Sequence, residues 1–141
     1  MTKCLQILLA LVLLSATSFE MAAQQQKQPE PSEIAAKEAD RLADLLKLED
    51  WQIFYVDSTL NYNISKMQEE MEQLQRSRVE NTNLYYAVQD EWMEKTDRQY
   101  QKIFTPEQWA KYLKNGAARQ QKARDKRKAK SSENALKLKK K

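Results

Sequence analysis

Phe104-Thr105-Pro106-Glu107-Gln108-Trp109 decides the fold, because every position in it suits the start of an α-helix. Thr105 can act as the N-cap, and Pro106 then stands at the first helical position, where its missing N–H costs nothing. Glu107 places negative charge at the positive end of the helix dipole. Gln108, third in the helix, can reach back to the Thr105 amide and close a capping box, while Phe104 can staple onto Trp109 across the cap. Loss of the cap through Thr105→Ala is expected to cost about 1 kcal/mol.

A looser copy of this element precedes it at Leu48-Glu49-Asp50-Trp51-Gln52-Ile53. Leu48 and Ile53 could form the staple, and Gln52 could occupy the third helical position. Glu49 stands where a capping Thr would serve best; the alternative is that Asp50 takes the cap and shifts the start by one residue.

Hydrophobic spacing fills in the helices around these two starts. Ser32 can cap a first helix over residues 33–48, with Ile34, Ala35, Ala39, Leu42, Leu45 and Leu46 on one side and Lys37, Asp40, Arg41, Asp44 and Lys47 on the other. A second helix is expected from Glu49 or Asp50 to about Val79, because Leu60, Ile64, Met67, Met71 and Leu74 recur at coiled-coil-like spacing. A helix of about thirty residues spans about 45 Å, too long to be covered by a compact core, so it needs an antiparallel partner helix or a second subunit. Asn81-Thr82-Asn83 is the best break, since these side chains compete for backbone hydrogen bonds. A third helix then carries Tyr85, Val88, Trp92 and Ile103 on one face and Tyr86, Met93 and Tyr100 on another. A hairpin is the preferred reading of residues 49–104, with one unbroken rod as the alternative. The fold class is all-α: an elongated helical hairpin or bundle of three to four helices, consistent with a single Gly and three Pro in 141 residues.

The chain begins with Lys3 and an apolar run, Leu5-Gln6-Ile7-Leu8-Leu9-Ala10-Leu11-Val12-Leu13-Leu14, followed by polar and small residues. This is the pattern of a cleavable export signal, and it is too short for a membrane span of about 20 residues. Cleavage is expected after Ala23, with Ser18 as the alternative. The only Cys, Cys4, leaves with the signal, and the chain has no His, so the exported protein lacks a disulfide framework and the commonest metal ligands. Residues 24–32, polar and proline-containing, read as a flexible leader, 33–118 as the helical domain, and 119–141 as a basic tail. The protein is expected in the periplasm or secreted.

Net charge is +4 overall, but it is distributed unevenly. Residues 24–118 hold 12 Lys and Arg against 17 Asp and Glu, whereas residues 119–141 hold 11 against 2. The tail is expected as a solvated, flexible extension; alternatively, the helix begun at Pro106 runs on to Lys130 if Gly116 is tolerated, although Asn115-Gly116 is also a good helix end. Such a tail could associate with an anionic envelope surface or acidic client segments. Nucleic acid is not an expected partner, because export removes it and no aromatics interleave the tail.

Two capping elements, the second reading FTPEQ, in an exported helical chain resemble the Spy/CpxP family of periplasmic proteins, whose short motif is L-T-x-x-Q. The resemblance covers residues 33–115 and is strengthened by Lys111-Tyr112 soon after the second element. Phe104 stands where the family has Leu, Glu49 where it has Thr, and the segment between the elements is short. The resemblance implies a curved helical dimer that holds unfolding clients without ATP, or an envelope-stress regulator that restrains one sensor. Expected partners are therefore unfolded or partly folded envelope proteins, or one regulatory protein, with a homodimer as the expected assembly.

Candidate contact residues follow from the residues themselves. Trp51, Phe54, Tyr55 and Tyr62 cannot all lie on the seam of Leu60, Ile64 and Met67, so part of that aromatic surface is expected to face solvent and mark a partner site. Met67, Met71 and Met93 add adaptable contacts, or else pack the hairpin or a dimer seam, in which case the protein is a coiled-coil spacer. Catalysis is not expected: Glu69 with Glu72, or Asp90 with Glu94, could pair on a helix face, but no nucleophile with a base, phosphate loop or metal set accompanies them. No cofactor and no metal are expected.

Overall fold

The computed structural model describes residues 29–139; the expected export signal and most of the expected leader lie outside the described residues. The described chain is all-helical, in the order α1 (Pro31–Leu46), α2 (Asp50–Arg76), α3 (Thr82–Ile103), α4 (Pro106–Tyr112) and, after a wide turn over Leu113–Ala117, α5 (Ala118–Lys139). The hairpin is the arrangement formed: α2 and α3 pack along each other, and the contacts of Gln52 with Ile103 and of Asn63 with Thr96 set them antiparallel. No second subunit is needed to support the long helix over the stretch α3 covers.

Helix α1 starts two residues before its expected body. Pro31 occupies the first turn and Glu30 the cap, whose carbonyl accepts the Glu33 and Ile34 N–H groups; Ser32 is inside the first turn rather than capping it. Proline's fixed φ suits that position. The helix ends at Lys47 in the left-handed region (φ 53), and the Leu48 N–H closes a wide turn onto the Ala43 carbonyl. Helix α2 ends by the same device, with Arg78 at φ 52 and the Val79 N–H on the Leu74 carbonyl. Both are glycine-type C-terminal motifs formed without glycine. The expected break at 81–83 is met in part: α2 stops at Arg76, and Asn81 accepts from the Asn83 N–H to cap α3.

The core sits where α1, the start of α2, the end of α3 and α4 meet. Ala35, Ala39, Leu42 and Leu46 pack with Val56, Leu60, Tyr100, Phe104, Tyr112 and Ala117. The two alanines leave room for α1 to approach closely, and the aromatic rings fill the opposite side, with Tyr100, Phe104 and Tyr112 centred within 5.8 Å of one another. Phe104 thus serves this cluster, and Trp109 joins it through Tyr112 at 5.3 Å. Further along the hairpin, Met67, Met71 and Leu74 are only half-buried, so the seam loosens away from the core.

Two expectations about the later helices change. Tyr100, placed on a secondary face by heptad spacing, is a core residue, while Tyr86 on the same nominal stripe is exposed. The stretch 119–141, expected as a flexible extension, is helical through Lys139, but not as a continuation of the helix begun at Pro106: the chain turns at Asn115-Gly116, as the helix-end reading of that pair expected, and a separate helix follows. Gly116 makes the turn between them possible, because φ is 112 there, a conformation open to glycine at little cost. Helix α5 returns antiparallel along α3, held by polar groups rather than by an apolar face. Arg127 donates twice to Asp90 at 2.7 and 2.6 Å, Lys128 pairs with Glu94, and Asp97 accepts from Tyr112, Gln121 and a buried Arg124. Asp90 and Glu94, noted as a carboxylate pair, are therefore docking points for a basic helix.

Candidate interaction surface

The two capping elements turn out to be one structure. Gln108 accepts the Thr105 N–H at 3.0 Å while its own N–H donates to the Thr105 hydroxyl at 3.2 Å. At the first element Glu49 is the cap, not Asp50, and its N–H donates to the Gln52 side chain at 3.0 Å. The two glutamines then pair with each other: Gln52 Nε2 donates to Gln108 Oε1 at 2.7 Å, and Gln108 Nε2 donates back at 3.1 Å. Gln52 Nε2 also reaches the last carbonyl of α3, at Ile103, and Gln108 Nε2 lies 3.5 Å from the last carbonyl of α1, at Leu46. Four helix ends meet at one amide pair. Leu48 packs at the edge of the core beside it. Pro106 and Glu107 are exposed and line the outside of the second cap, so the element closes one end of the fold.

The aromatic residues of α2 behave differently. Trp51, Phe54, Tyr55 and Tyr62 keep 50%, 66%, 54% and 60% of their surface in solvent. Trp51, Tyr55 and Tyr62, with Ser58 between them, fall on one helical stripe, and Phe54 lies beside it. The rings support each other edge to face, with Trp51 to Tyr55 at 6.2 Å and Phe54 to Tyr55 at 5.6 Å. The indole N–H of Trp51 donates to the Glu49 carboxylate at 2.7 Å, which anchors the head of the stripe. Large rings this exposed, gathered on one side of the helix away from the core, form the candidate interaction surface. The candidate methionines are not part of it to the same degree: Met67, Met71 and Met93 are each half-buried.

At its far end the stripe runs into a groove of about 530 Å³ between α2 and α3. Tyr62, Asn63 and Trp92 line its inner part, and Lys95, Arg98, Gln99, Gln101 and Lys102 its α3 side. Tyr62 stands edge-on to Trp92 at 6.3 Å, and the Lys95 ammonium lies 3.7 Å above the Trp92 ring. The buried Trp92 Nε1 has no hydrogen-bond acceptor in the protein. Asn63 is held by Thr96 and Gln99, both at 2.9 Å. Sequence spacing singled out Tyr62 but missed Lys95, Arg98 and Lys102. Their recurrence at three, four and seven residues on one helix was readable; their place beside the aromatic stripe depends on the antiparallel register of the hairpin.

Electrostatics divide α3 lengthwise. Asp90, Glu94 and Asp97 face α5, and the hydrogen bond from Lys128 holds the Glu94 carboxyl below its ordinary range. Burial raises the phenols of Tyr100 and Tyr112 well above the usual tyrosine value, and for Tyr112 the neighbouring Asp97 carboxylate adds to the effect. Among the described residues no group of three or more Cys, His, Asp or Glu is placed to hold a metal ion, and no helix is long and apolar enough to cross a membrane. No family model matches the chain, and no curated protein or solved structure matches it either.

Proposed function

We propose that the protein is an exported binding protein that holds apolar segments of envelope proteins on the aromatic stripe of α2, without ATP and without covalent chemistry. The observation that carries this reading is the exposure of Trp51, Phe54, Tyr55 and Tyr62 together, on a helix whose opposite face supplies Gln52, Val56, Leu60 and Asn63 to the interior. A helix that merely needed to pack would not leave half or more of four large rings in water, where each forgoes the corresponding share of the about 1.5–3 kcal/mol that complete burial supplies. The rigid scaffold beneath, fixed by the paired caps, presents the rings with little ordering cost on binding. The export signal and the likeness of the two caps to the Spy/CpxP motif favour an envelope chaperone of that kind, and the half-buried methionines are adaptable neighbours for varied clients.

A second reading, a regulator with one dedicated partner, uses the same surface and differs in stoichiometry. Light scattering of thermally or chemically unfolded clients tests the leading reading: aggregation should be suppressed at several-fold molar excess without nucleotide. Absence of suppression across several clients contradicts it. Crosslinking in the envelope separates the two, since many substoichiometric partners indicate a chaperone and one stoichiometric partner an adaptor.

A further inference from the structure

We infer that the outward face of α5 is a membrane-attachment surface, which lays the protein on anionic lipid headgroups through Arg119, Lys122, Lys126 and Lys130. This face belongs to a different helix from the aromatic stripe, so attachment and client holding are separate properties.

Helix α5 carries cations on both sides, but only one side is answered within the protein. Gln121, Arg124, Arg127 and Lys128 meet Asp90, Glu94 and Asp97 of α3. On a turn of about 3.6 residues, Arg119, Lys122, Lys126, Lys130 and Lys137 fall on the side away from those contacts, within about 80° of one another. Lys137 is paired with Glu133 at 2.6 Å. The other four are exposed, and among the described residues none of them lies within ion-pair distance of a carboxylate. They span about 17 Å along the helix axis, and a single carboxylate, Asp125, stands beside the row.

Charge and shape together favour a lipid surface. A straight row on a convex helix meets a plane all at once, and the ion pairs of the inner face already hold that helix on the body of the protein, so little ordering is lost on binding. Three of the four are lysines, compact charges on flexible stems that suit mobile headgroups rather than one fixed bidentate partner. Between Arg119 and Lys130 the apolar residues are Ala123 and Ala129 alone, so the helix rests on the headgroups without entering the acyl region. The same stretch holds no aromatic side chain on which a nucleic-acid base would stack.

The test uses the full exported chain and sedimentation with vesicles of equal parts phosphatidylglycerol and phosphatidylcholine, against vesicles of phosphatidylcholine alone, at low salt. The protein is expected to bind the mixed vesicles and not the zwitterionic ones, and to detach as ionic strength rises and screening tightens. Each Lys or Arg near an anionic leaflet strengthens attachment by about fivefold. Lys122→Gln, Lys126→Gln and Lys130→Gln together should therefore weaken binding by about a hundredfold, with the helical circular dichroism unchanged because these side chains have no carboxylate partner in the fold. The same three positions changed to Arg should keep the binding. Lys37→Gln, Lys102→Gln and Lys111→Gln together remove the same charge from exposed positions outside α5 and should weaken it far less. An equal loss in that control shows attraction by net charge alone and overturns the inference. So does undiminished binding by the α5 variant, which assigns attachment to the terminal lysines 139–141, and so does equal binding to both kinds of vesicle. Tighter binding of dextran sulfate or poly-glutamate than of the mixed vesicles, at equal anionic charge, assigns the row to polysaccharide or to acidic protein and likewise overturns it.

Discussion

Gln52 is almost completely buried yet polar, and its amide is fully used: two acceptors for its N–H groups and two donors to its oxygen. Gln52→Ala therefore strands partners on three helix ends and should cost about 2–3 kcal/mol in chemical denaturation. Gln108→Ala should cost somewhat less, because Gln108 is only half-buried. The double variant should fall short of the sum by about 1 kcal/mol or more, the coupling expected of side chains in one network. Additive losses would mean that the two caps are independent. The capping role of each glutamine was legible in the sequence from its position; the pairing was not, because nothing local shows that two helix starts meet in space. Tyr100 and Tyr112 give a second test at this scale. Their folded pKa values lie above the ordinary 10.0, so above pH 10 the unfolded chain loses protons that the folded chain keeps. Their contribution to stability is present below pH 10 and is lost as pH rises further. Absorbance at 295 nm should show Tyr100 and Tyr112 ionising only together with loss of helicity.

Helix α5 is the element whose character the sequence concealed. Strong positive charge and few apolar residues describe a solvated tail, and only the antiparallel placement against Asp90, Glu94 and Asp97 makes the same residues adhesive. The acidic spacing on α3 was visible, but only as a carboxylate pair at Asp90 and Glu94 with no catalytic companions. Local signals worked better for α1 to α4, where caps and apolar period agree, and failed at Tyr100, where a strict heptad drifts from the 3.6-residue turn. Asp97→Ala leaves Arg124 buried without its counter-charge, which should cost about 3 kcal/mol and free α5 before the rest of the fold. Limited trypsin digestion should then cut among the Lys and Arg of α5 early while residues of α1 to α4 stay protected. Acid should act in the same direction. Lys128 depresses the Glu94 carboxyl, so that contact is complete above the ordinary carboxyl pKa of 4.5 and is lost as pH falls through the lowered value. Equal protease resistance in the Asp97 variant would show that α5 is held by something other than its ion pairs.

At the scale of the whole molecule, one end is a packed core bolted by an amide pair, with exposed rings on the outer face of the start of α2 and cations near the end of α3, and from it the rest of the hairpin projects. The all-helical class was readable from composition and period. The exposure of the α2 aromatics was readable too, since four rings could not share the seam with Leu60, Ile64 and Met67. The groove was not, because it exists only once α2 and α3 are in register. Client holding on the aromatic stripe is the central claim, and it is tested most directly by comparing the unaltered protein with a Trp51→Ser, Phe54→Ser, Tyr55→Ser variant in the light-scattering assay. These side chains are half or more in solvent, so helicity and melting temperature should change little. The variant should lose most of its suppression of client aggregation while remaining folded. Suppression undiminished in a folded variant would contradict the claim.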